Sequence, residues 1–198
     1  MSGKSLKRAI SNSSEAWHSD KSRHALIFIA GAMAMLMHET FRFGLDLPGR
    51  QGLTLMAILI YVRLVSPYHY SATLAGSGGL VAALVIRDNP AAAIIVLSQG
   101  IVLDLAFKQL SVSNITLWLL PLAAGLAHML KPLFKIVFLT WAGVETDSLR
   151  HGLAYPFITH FIFGAVGGLI GFLAWRTLKK SQKKQSLNSR RLCEHFTS

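Results

Sequence analysis

The chain has 198 residues, of which 52% are hydrophobic and only 15% are charged, yet its net charge is +11 at neutral pH. With a mean hydropathy of +0.45, this composition excludes an ordinary soluble domain and predicts an all-α, polytopic membrane protein. The single cysteine, Cys193, excludes an internal disulfide framework and a cysteine-based metal cluster.

The positive charge is concentrated at the two ends of the chain. Residues 1–23 carry a net charge of +3 and the segment from Arg176 onward carries +6, and together they hold twelve of the twenty Lys and Arg residues. Basic segments that flank membrane spans are typical of cytoplasmic anchors, so we expect contact with membrane lipids and no binding of nucleic acid. The first segment is rich in Ser and Lys and has no continuous apolar stretch, which predicts a tail and not a cleavable signal.

Six apolar stretches predict six transmembrane helices, over residues 24–40, 53–66, 72–86, 91–107, 115–141 and 153–175. An even number of spans places both basic ends on one side, which the positive-inside rule makes cytoplasmic. Four arginines disagree with the same rule, because this topology places them outside: Arg42, Arg50, Arg87 and Arg150. The predicted organisation is a six-transmembrane-helix bundle over residues 24–178 with both termini cytoplasmic, between basic cytoplasmic tails over 1–23 and 179–198.

Small residues repeat at a spacing of four in the first and third spans. Ala30 and Ala34 in the first span form a small-xxx-small pair, which is explained either by packing inside this chain or by docking of a partner helix. The third span has several such pairs, including Ala72 with Gly76, so we expect it to lie centrally with neighbours packed closely against it. Its AGSGG sequence lacks the following Lys-Ser/Thr and the preceding strand of a phosphate-binding loop.

Ionisable residues within the apolar stretches are the candidates for function. In the fourth span, Asp104 and Lys108 have the spacing and order of a structural helical ion pair. In the fifth stretch, His128, Lys131 and Lys135 share one helical face. Each membrane-embedded lysine costs about 2.5–3.5 kcal/mol at a helix centre, so this face is a functional hypothesis.

The alternative is that the Lys131-Pro132 step breaks the fifth helix, and that both lysines extend from the break to one membrane surface. The preferred topology favours one long or kinked helix. In the sixth span, His160 shares a stripe with Gly164 and Gly168, which predicts that His160 faces the bundle.

The predicted topology separates the polar residues by depth. An inner set contains Arg63 and Asp104. An outer set contains His38, Glu39, Lys131, Lys135, Tyr155, Thr159 and His160. We expect the loop over residues 41–52, FRFGLDLPGRQG, to cover the outer set and form a capture site open to the exterior.

Several segments carry a resemblance to a known family. They are the alanine pair of the first span, LPGRQGLTLMAIL at the second, GIVLDL in the fourth, LAAGLAHMLKPLFK in the fifth and HFIFGAVGGLIG in the last. Over roughly residues 24–178 the chain resembles the substrate-binding S component of energy-coupling factor transporters. The resemblance implies a six-helix bundle in the bacterial plasma (inner) membrane that binds a vitamin or other micronutrient from outside, with the first outer loop as a gate.

The resemblance also implies partners. An S component docks on an energy-coupling transmembrane subunit driven by ATPase subunits, and the docking contact would fall on Ala30 and Ala34. The chain itself has no nucleotide-binding motif, so we expect it to need no cofactor and ATP to be used by the partners. Ten residues become candidates for binding the small-molecule substrate: His38, Glu39, Arg42, His128, Lys131, Lys135, Trp141, Tyr155, Thr159 and His160. The lysines would meet a carboxylate or phosphate, and Trp141 or Tyr155 would stack on a ring.

Other classes of protein remain as alternatives. Histidines at 128, 151 and 160 leave a metal site open, but the chain has neither an HExxH nor an Asp-rich motif, so we expect no catalytic residue and no metal. A self-contained small permease or channel is the main rival, although no inverted repeat is evident. A purely structural membrane protein is the third reading.

Overall fold

The computed structural model describes residues 20–37, 49–50, 52–87, 90–109, 119–141 and 154–196. These residues are helical apart from short turns, and none of them is in a strand, which confirms the all-α class for the described part of the chain. Helix α1 comprises residues 20–37. The helices that follow are α2 (Gly52–Val65), α3 (Ser71–Arg87), α4 (Pro90–Gln109), α5 (Leu119–His128), α6 (Leu130–Trp141) and α7 (Ala154–Phe196).

Two helical segments are long and apolar enough to cross a membrane. They are Leu119–Val137, which includes α5 and most of α6, and Ala154–Lys183 in α7. The helices Gly52–Val65 and Ser71–Ile86 are apolar but shorter. Many large apolar side chains on these helices are exposed, as expected of side chains that face lipid. The described fold is therefore compatible with a membrane protein.

Helix α7 contacts α2 and α5 through two glycine stripes. A Cβ at Gly164 would lie 2.9 Å from the carbonyl oxygen of Ala124 in α5, and Gly168 faces the same helix. A Cβ at Gly167 would lie 2.6 Å from the carbonyl oxygen of Leu53 in α2, and Gly171 also faces α2. A side chain at Gly164, Gly167 or Gly171 would overlap the backbone of the neighbouring helix, and one at Gly168 would overlap Cβ of Ala124. Helix α7 therefore approaches both helices this closely because glycine occupies these positions.

Helix α3 lies between α1 and α4, as its small residues predict. A Cβ at Gly78 would overlap the backbone of α1 at Phe28, and a Cβ at Gly76 would lie 3.2 Å from the carbonyl oxygen of Val96 in α4. The side chain of Ala72 is completely buried. The helices therefore approach backbone to backbone, which maximises dispersion contacts between them.

The fifth predicted stretch is a helix interrupted at Met129. The amide of Met129 donates to the carbonyl oxygens of Gly125 (3.1 Å) and Leu126 (3.2 Å), and hydrogen bonding resumes when the amide of Leu133 donates to Met129 (3.2 Å). Pro132 has no N–H with which to bond the carbonyl oxygen of His128 four residues earlier. The kink thus lies next to His128, and only one residue separates α5 from α6.

Helix α7 continues far beyond the predicted end of the last span at residue 175. It has 43 residues, which corresponds to a length of about 64 Å at ~1.5 Å per residue. No glycine or proline follows Gly171, and the chain there is rich in Lys, Arg, Gln and Leu, which favour helix. Residues 179–196, the predicted basic tail, are therefore helical and continue α7. In the N-terminal part of the chain, the described residues of α1 include 20–23, which belong to the predicted polar tail.

Candidate functional site

The site is built around His128, the last residue of α5. Its side chain is 1% exposed, and each of its ring nitrogens has a partner. The Nε2–H donates to the carbonyl oxygen of Gly49, 3.2 Å away, because a carbonyl oxygen can only accept. Nδ1 then accepts a hydrogen bond from the side-chain amide of Gln99 in α4, also at 3.2 Å. One imidazole ring thus joins α5, α4 and the segment before α2.

Two glycines make room for this ring. A Cβ at Gly52, the first residue of α2, would lie 2.5 Å from Cδ2 of His128. A Cβ at Gly164 in α7 would lie 2.7 Å from Cβ of His128. The imidazole therefore occupies a slot between α2 and α7 that exists only because both positions lack a side chain.

The second histidine of the site, His160, stacks on the first. The ring centroids of His128 and His160 are 5.1 Å apart, with an interplanar angle of 29°. His160 is 7% exposed, which confirms the prediction that it faces the bundle. Its Nδ1–H donates to the carbonyl oxygen of Pro156 at 2.7 Å, so in the neutral ring Nε2 is an acceptor.

Gly49 covers the two histidines. Its φ angle is +88°, a conformation that glycine adopts without strain. A Cβ at this position would lie 2.8 Å from Cα of His160, so the position needs glycine for space as well as for conformation. The described end of the predicted covering loop therefore rests on both rings.

Lys131 and Lys135 lie beside this pair. Both are within electrostatic range of the His160 ring. Lys131 is half-buried and Lys135 is exposed. The structure thus brings together four of the predicted site residues, His128, Lys131, Lys135 and His160.

The other predicted binding residues lie at the margin of this site or outside the described part of the chain. Tyr155 is exposed at the start of α7. The hydroxyl of Thr159 donates to the carbonyl oxygens of Tyr155 (3.0 Å) and Pro156 (3.1 Å), so it is directed at its own helix. Trp141 ends α6, but its side chain is outside the described part. So are His38, Glu39 and Arg42.

The predicted docking pair is mainly internal. Ala34 is completely buried in the core, and Ala30 is partly buried. The exposed face of α1 is formed by larger apolar side chains, Leu26, Ile29 and Met33.

Gln99 is a site residue that sequence reasoning missed. It is 1% exposed, and its Oε1 has no hydrogen-bond partner among the described residues. A glutamine in an apolar helix is a visible signal, but only the fold shows that it meets His128.

A second polar cluster joins Arg63 at the end of α2 to Asp104 in α4. The Nε atom of Arg63 is 3.1 Å from Oδ1 of Asp104, and the two side chains are only 13% and 10% exposed. Besides this ion pair, the Asp104 carboxylate accepts hydrogen bonds from the backbone amides of Ala72 (3.2 Å) and Thr73 (2.7 Å), at the start of α3. Asp104 therefore caps a neighbouring helix, where its negative charge is favoured.

The predicted ion pair between Asp104 and Lys108 is wrong. Lys108 is exposed and forms no ion pair with Asp104 in the described part of the chain. The reason lies in the tertiary structure. The Asp104 carboxylate is held in a largely buried position by the Arg63 guanidinium and by two backbone amides of α3, whereas the Lys108 ammonium is exposed and would add only a weak surface ion pair.

The two polar clusters lie at opposite ends of α2. Gly52 contacts His128 at the start of this helix, and Arg63 lies eleven positions later, about 17 Å along the axis.

A third cluster joins the start of α1 to the connection after α2. The Tyr68 hydroxyl donates to Asp20 (2.6 Å), and the His24 ring is 2.7 Å from the Tyr70 hydroxyl. Within the described residues, no three His, Cys, Asp or Glu side chains are grouped to hold a metal ion.

No family model, curated protein or solved structure matches the chain. The fold and the site define its class only as an all-helical protein with two membrane-length apolar segments and a buried pair of stacked histidines.

Proposed function

We propose that this chain is the membrane-embedded substrate-binding subunit of an energy-coupling factor (ABC-type) importer, which captures a vitamin or other micronutrient from outside the cell. In this proposal α1, α2, α3, α4, α5 with α6, and α7 are the six spans, and both termini are cytoplasmic in a bacterial inner membrane. The histidine pair then faces the exterior, and the cluster of Arg63 and Asp104 faces the cytoplasm.

The observation that carries the proposal is the meeting of His128 and His160 beneath Gly49, with Lys131 and Lys135 in electrostatic range. Burial of polar and ionisable groups in an apolar bundle is costly, and such groups within membrane helices are functional by default. Four segments distant in sequence converge on these groups, namely Gly49 with the start of α2, α4, α5 with α6, and α7, which is typical of a binding site and unlike a surface charge patch.

The proposed chemistry follows from the donors and acceptors present. Lys131 and Lys135 would hold a carboxylate or phosphate of the substrate, and Tyr155 or Trp141 would stack on its ring. Because His128 is nearly inaccessible, the segment that contains Gly49 must move for a ligand to reach the rings. Import would then depend on ATPase partners, since the chain has no nucleotide-binding motif.

Docking on the coupling subunit would use the exposed face of α1. Leu26, Ile29 and Met33 form an apolar stripe beside Ala30 on that helix. Ala30→Trp should block docking and preserve substrate capture. Ala34→Trp is a poor test, because Ala34 is completely buried and the indole would disrupt the chain's own core.

The test is purification of the tagged protein from its native host in mild detergent, followed by mass spectrometry of proteins and retained small molecules. We expect a coupling subunit, ATPases and a retained metabolite. Lys131→Met and Lys135→Met should lose the metabolite and stay folded. Lys108→Met is the matched control, since Lys108 is an exposed lysine near the opposite end of the bundle.

A self-contained permease is the second candidate, and one observation favours it. The buried pair of Arg63 and Asp104 could serve ion coupling within a single chain. Recovery of the protein without partners, together with transport by the protein alone in liposomes, would replace the importer proposal with this one.

A further inference from the structure

The buried amide of Gln99 offers an acceptor that nothing in the described chain uses. His128 donates through Nε2 to Gly49, so its Nδ1 takes a hydrogen from the Gln99 amide nitrogen. That hydrogen bond fixes the nitrogen of the amide toward the ring and leaves Oε1 as the remaining acceptor. Oε1 has no partner in the described residues, and the side chain is 1% exposed.

A buried acceptor without a donor is unfavourable, so this oxygen identifies a place where a donor is expected. His160 adds a second acceptor to the same site. Its Nδ1–H is committed to the carbonyl oxygen of Pro156, which leaves Nε2 to accept. The ring stacks on His128, the residue that orients Gln99. The site therefore contains two acceptors, and the positive charges of Lys131 and Lys135 act on it at the His160 ring.

We infer that the substrate is an organic anion that also carries an N–H donor, such as an amide-, ureido- or amino-bearing carboxylate, and that Gln99 Oε1 accepts from this donor. The inference rests on the proposed function and specifies its substrate class. A carboxylate would meet the lysines, and the N–H group would reach the acceptors beside His128. An anion without such a donor would leave Oε1 buried and unpaired, and the site would discriminate against it.

The experiment compares wild-type protein with Gln99→Leu, Lys131→Met and Ser98→Ala, each reconstituted in lipid nanodiscs. Ser98→Ala is the matched control, because the Ser98 hydroxyl donates to Ile94 of its own helix. Each protein is equilibrated with an equimolar mixture of water-soluble vitamins, amino acids, nucleosides and organic acids, and the retained compounds are identified by mass spectrometry. The affinity of the retained compound is then compared with that of its N-methylated analogue.

We expect wild type and Ser98→Ala to retain a carboxylate that bears an N–H group, and Gln99→Leu to bind it about ten- to a hundredfold more weakly. The N-methylated analogue should bind wild type with a similar loss, a measurement that does not depend on how any variant folds. If Lys131→Met abolishes retention but both Gln99→Leu and N-methylation leave the affinity unchanged, the inference is overturned and the importer proposal stands. If wild type retains nothing, both are overturned.

Discussion

His128 has an orientation that is set by several other segments of the chain. Gly49 and Gln99 bond its two nitrogens, Gly52 and Gly164 leave the space for its ring, and His160 stacks on it. Such a side chain has few alternative rotamers, because any rotation would break a hydrogen bond or overlap a helix backbone. A ligand that meets this residue meets a preorganised group.

Gly52→Ala should displace the His128 ring. The new methyl group would lie 2.5 Å from Cδ2, which forces the ring out of its slot, and overpacking of this kind costs about 1–3 kcal/mol. Thermal unfolding in detergent should show the loss, and substrate retention should fall with it. Ser98→Ala is the control, since the Ser98 hydroxyl donates to Ile94 of its own helix and its removal introduces no new atom. Equal stability of wild type and Gly52→Ala would mean that the slot is not constrained.

Tyr68 should ionise at an unusually high pH. Its hydroxyl donates to Asp20 at 2.6 Å, and this hydrogen bond, together with burial and the negative charge of Asp20, raises the pKa of the phenol above its ordinary value of 10.0. Because the folded-state pKa is the higher one, the contact persists below the ordinary pKa and is lost as the pH rises through the raised value. The titration of this phenol is obtained from ultraviolet absorbance, by subtracting the curve of Tyr68→Phe from that of wild type. Asp20→Asn should lower its pKa, and an unchanged curve would exclude the contact in solution.

At the scale of helices, two features position the polar groups: an interruption of a helix at a proline, and the capping of one helix by a side chain of another. Pro132 interrupts the fifth stretch next to His128, so that the buried imidazole and the two lysines lie on either side of a kink. Asp104 supplies its neighbour α3 with an N-terminal cap from another helix and also pairs with Arg63. Both features place polar groups within apolar helices, and the effect of each on the free energy of unfolding can be measured by substitution.

Pro132→Ala should straighten the junction of α5 and α6. It restores a donor for the carbonyl oxygen of His128, so that one continuous hydrogen-bonded helix can replace the separate helices α5 and α6. Amide exchange at the junction should slow, and substrate retention should fall, because Lys131 and Lys135 move relative to His160. Pro121→Ala is the control, since Pro121 lies in the first turn of α5, where proline is tolerated. Retention that survives a straightened junction would show that the kink does not position the lysines.

Asp104→Asn should destabilise the fold by about 3 kcal/mol, since it leaves the buried Arg63 without a counter-charge. This loss of stability is at the lower end of the range for a broken buried ion pair, because the asparagine oxygen still accepts from the backbone amides at the start of α3. Denaturant unfolding measures it. Arg63→Met combined with Asp104→Asn should recover much of the stability. Lys108→Gln should change it by less than about 0.5 kcal/mol, and a larger effect there would restore the ion pair within α4.

At the scale of the whole molecule, α7 is the helix against which both α2 and α5 pack. One glycine stripe holds α5, another holds α2, and the helix then continues as a single element to Phe196. In the proposed topology, this continuation projects a strongly basic segment into the cytoplasm. The same proposal places the histidine site and the Arg63–Asp104 cluster, which lie at opposite ends of α2, toward opposite membrane surfaces.

Cys193, the single cysteine, tests this topology without any engineering. With six spans, a membrane-impermeant maleimide should label it in inside-out vesicles and leave it unlabelled in intact cells. Asp46→Cys in a Cys193→Ser background should show the reverse, because residue 46 lies in the predicted first outer loop. Labelling of Cys193 in intact cells would contradict the cytoplasmic position of the C-terminal segment.

Much of the fold could be predicted because its signals are local. Apolar stretches of sufficient length gave the positions of the helices, and the glycine spacing of residues 164–171 gave the faces by which α7 packs. Part of the site could be predicted for the same reason, since His160 shares a glycine stripe. The contact between Asp104 and Arg63 could not, because it joins residues forty-one positions apart, whereas helix spacing suggested only Lys108.

The sequence by itself determined the all-helical class, the positions of the apolar helices and the residue types present for binding, because burial and helix period act over a few neighbouring residues. Only the tertiary structure decided that Gln99 and Gly49 meet His128, that His160 stacks on it, and that Ala34 is internal. These contacts depend on which helices become neighbours and at what height. That choice results from the packing of small residues along the entire length of the helices, and no local pattern contains it.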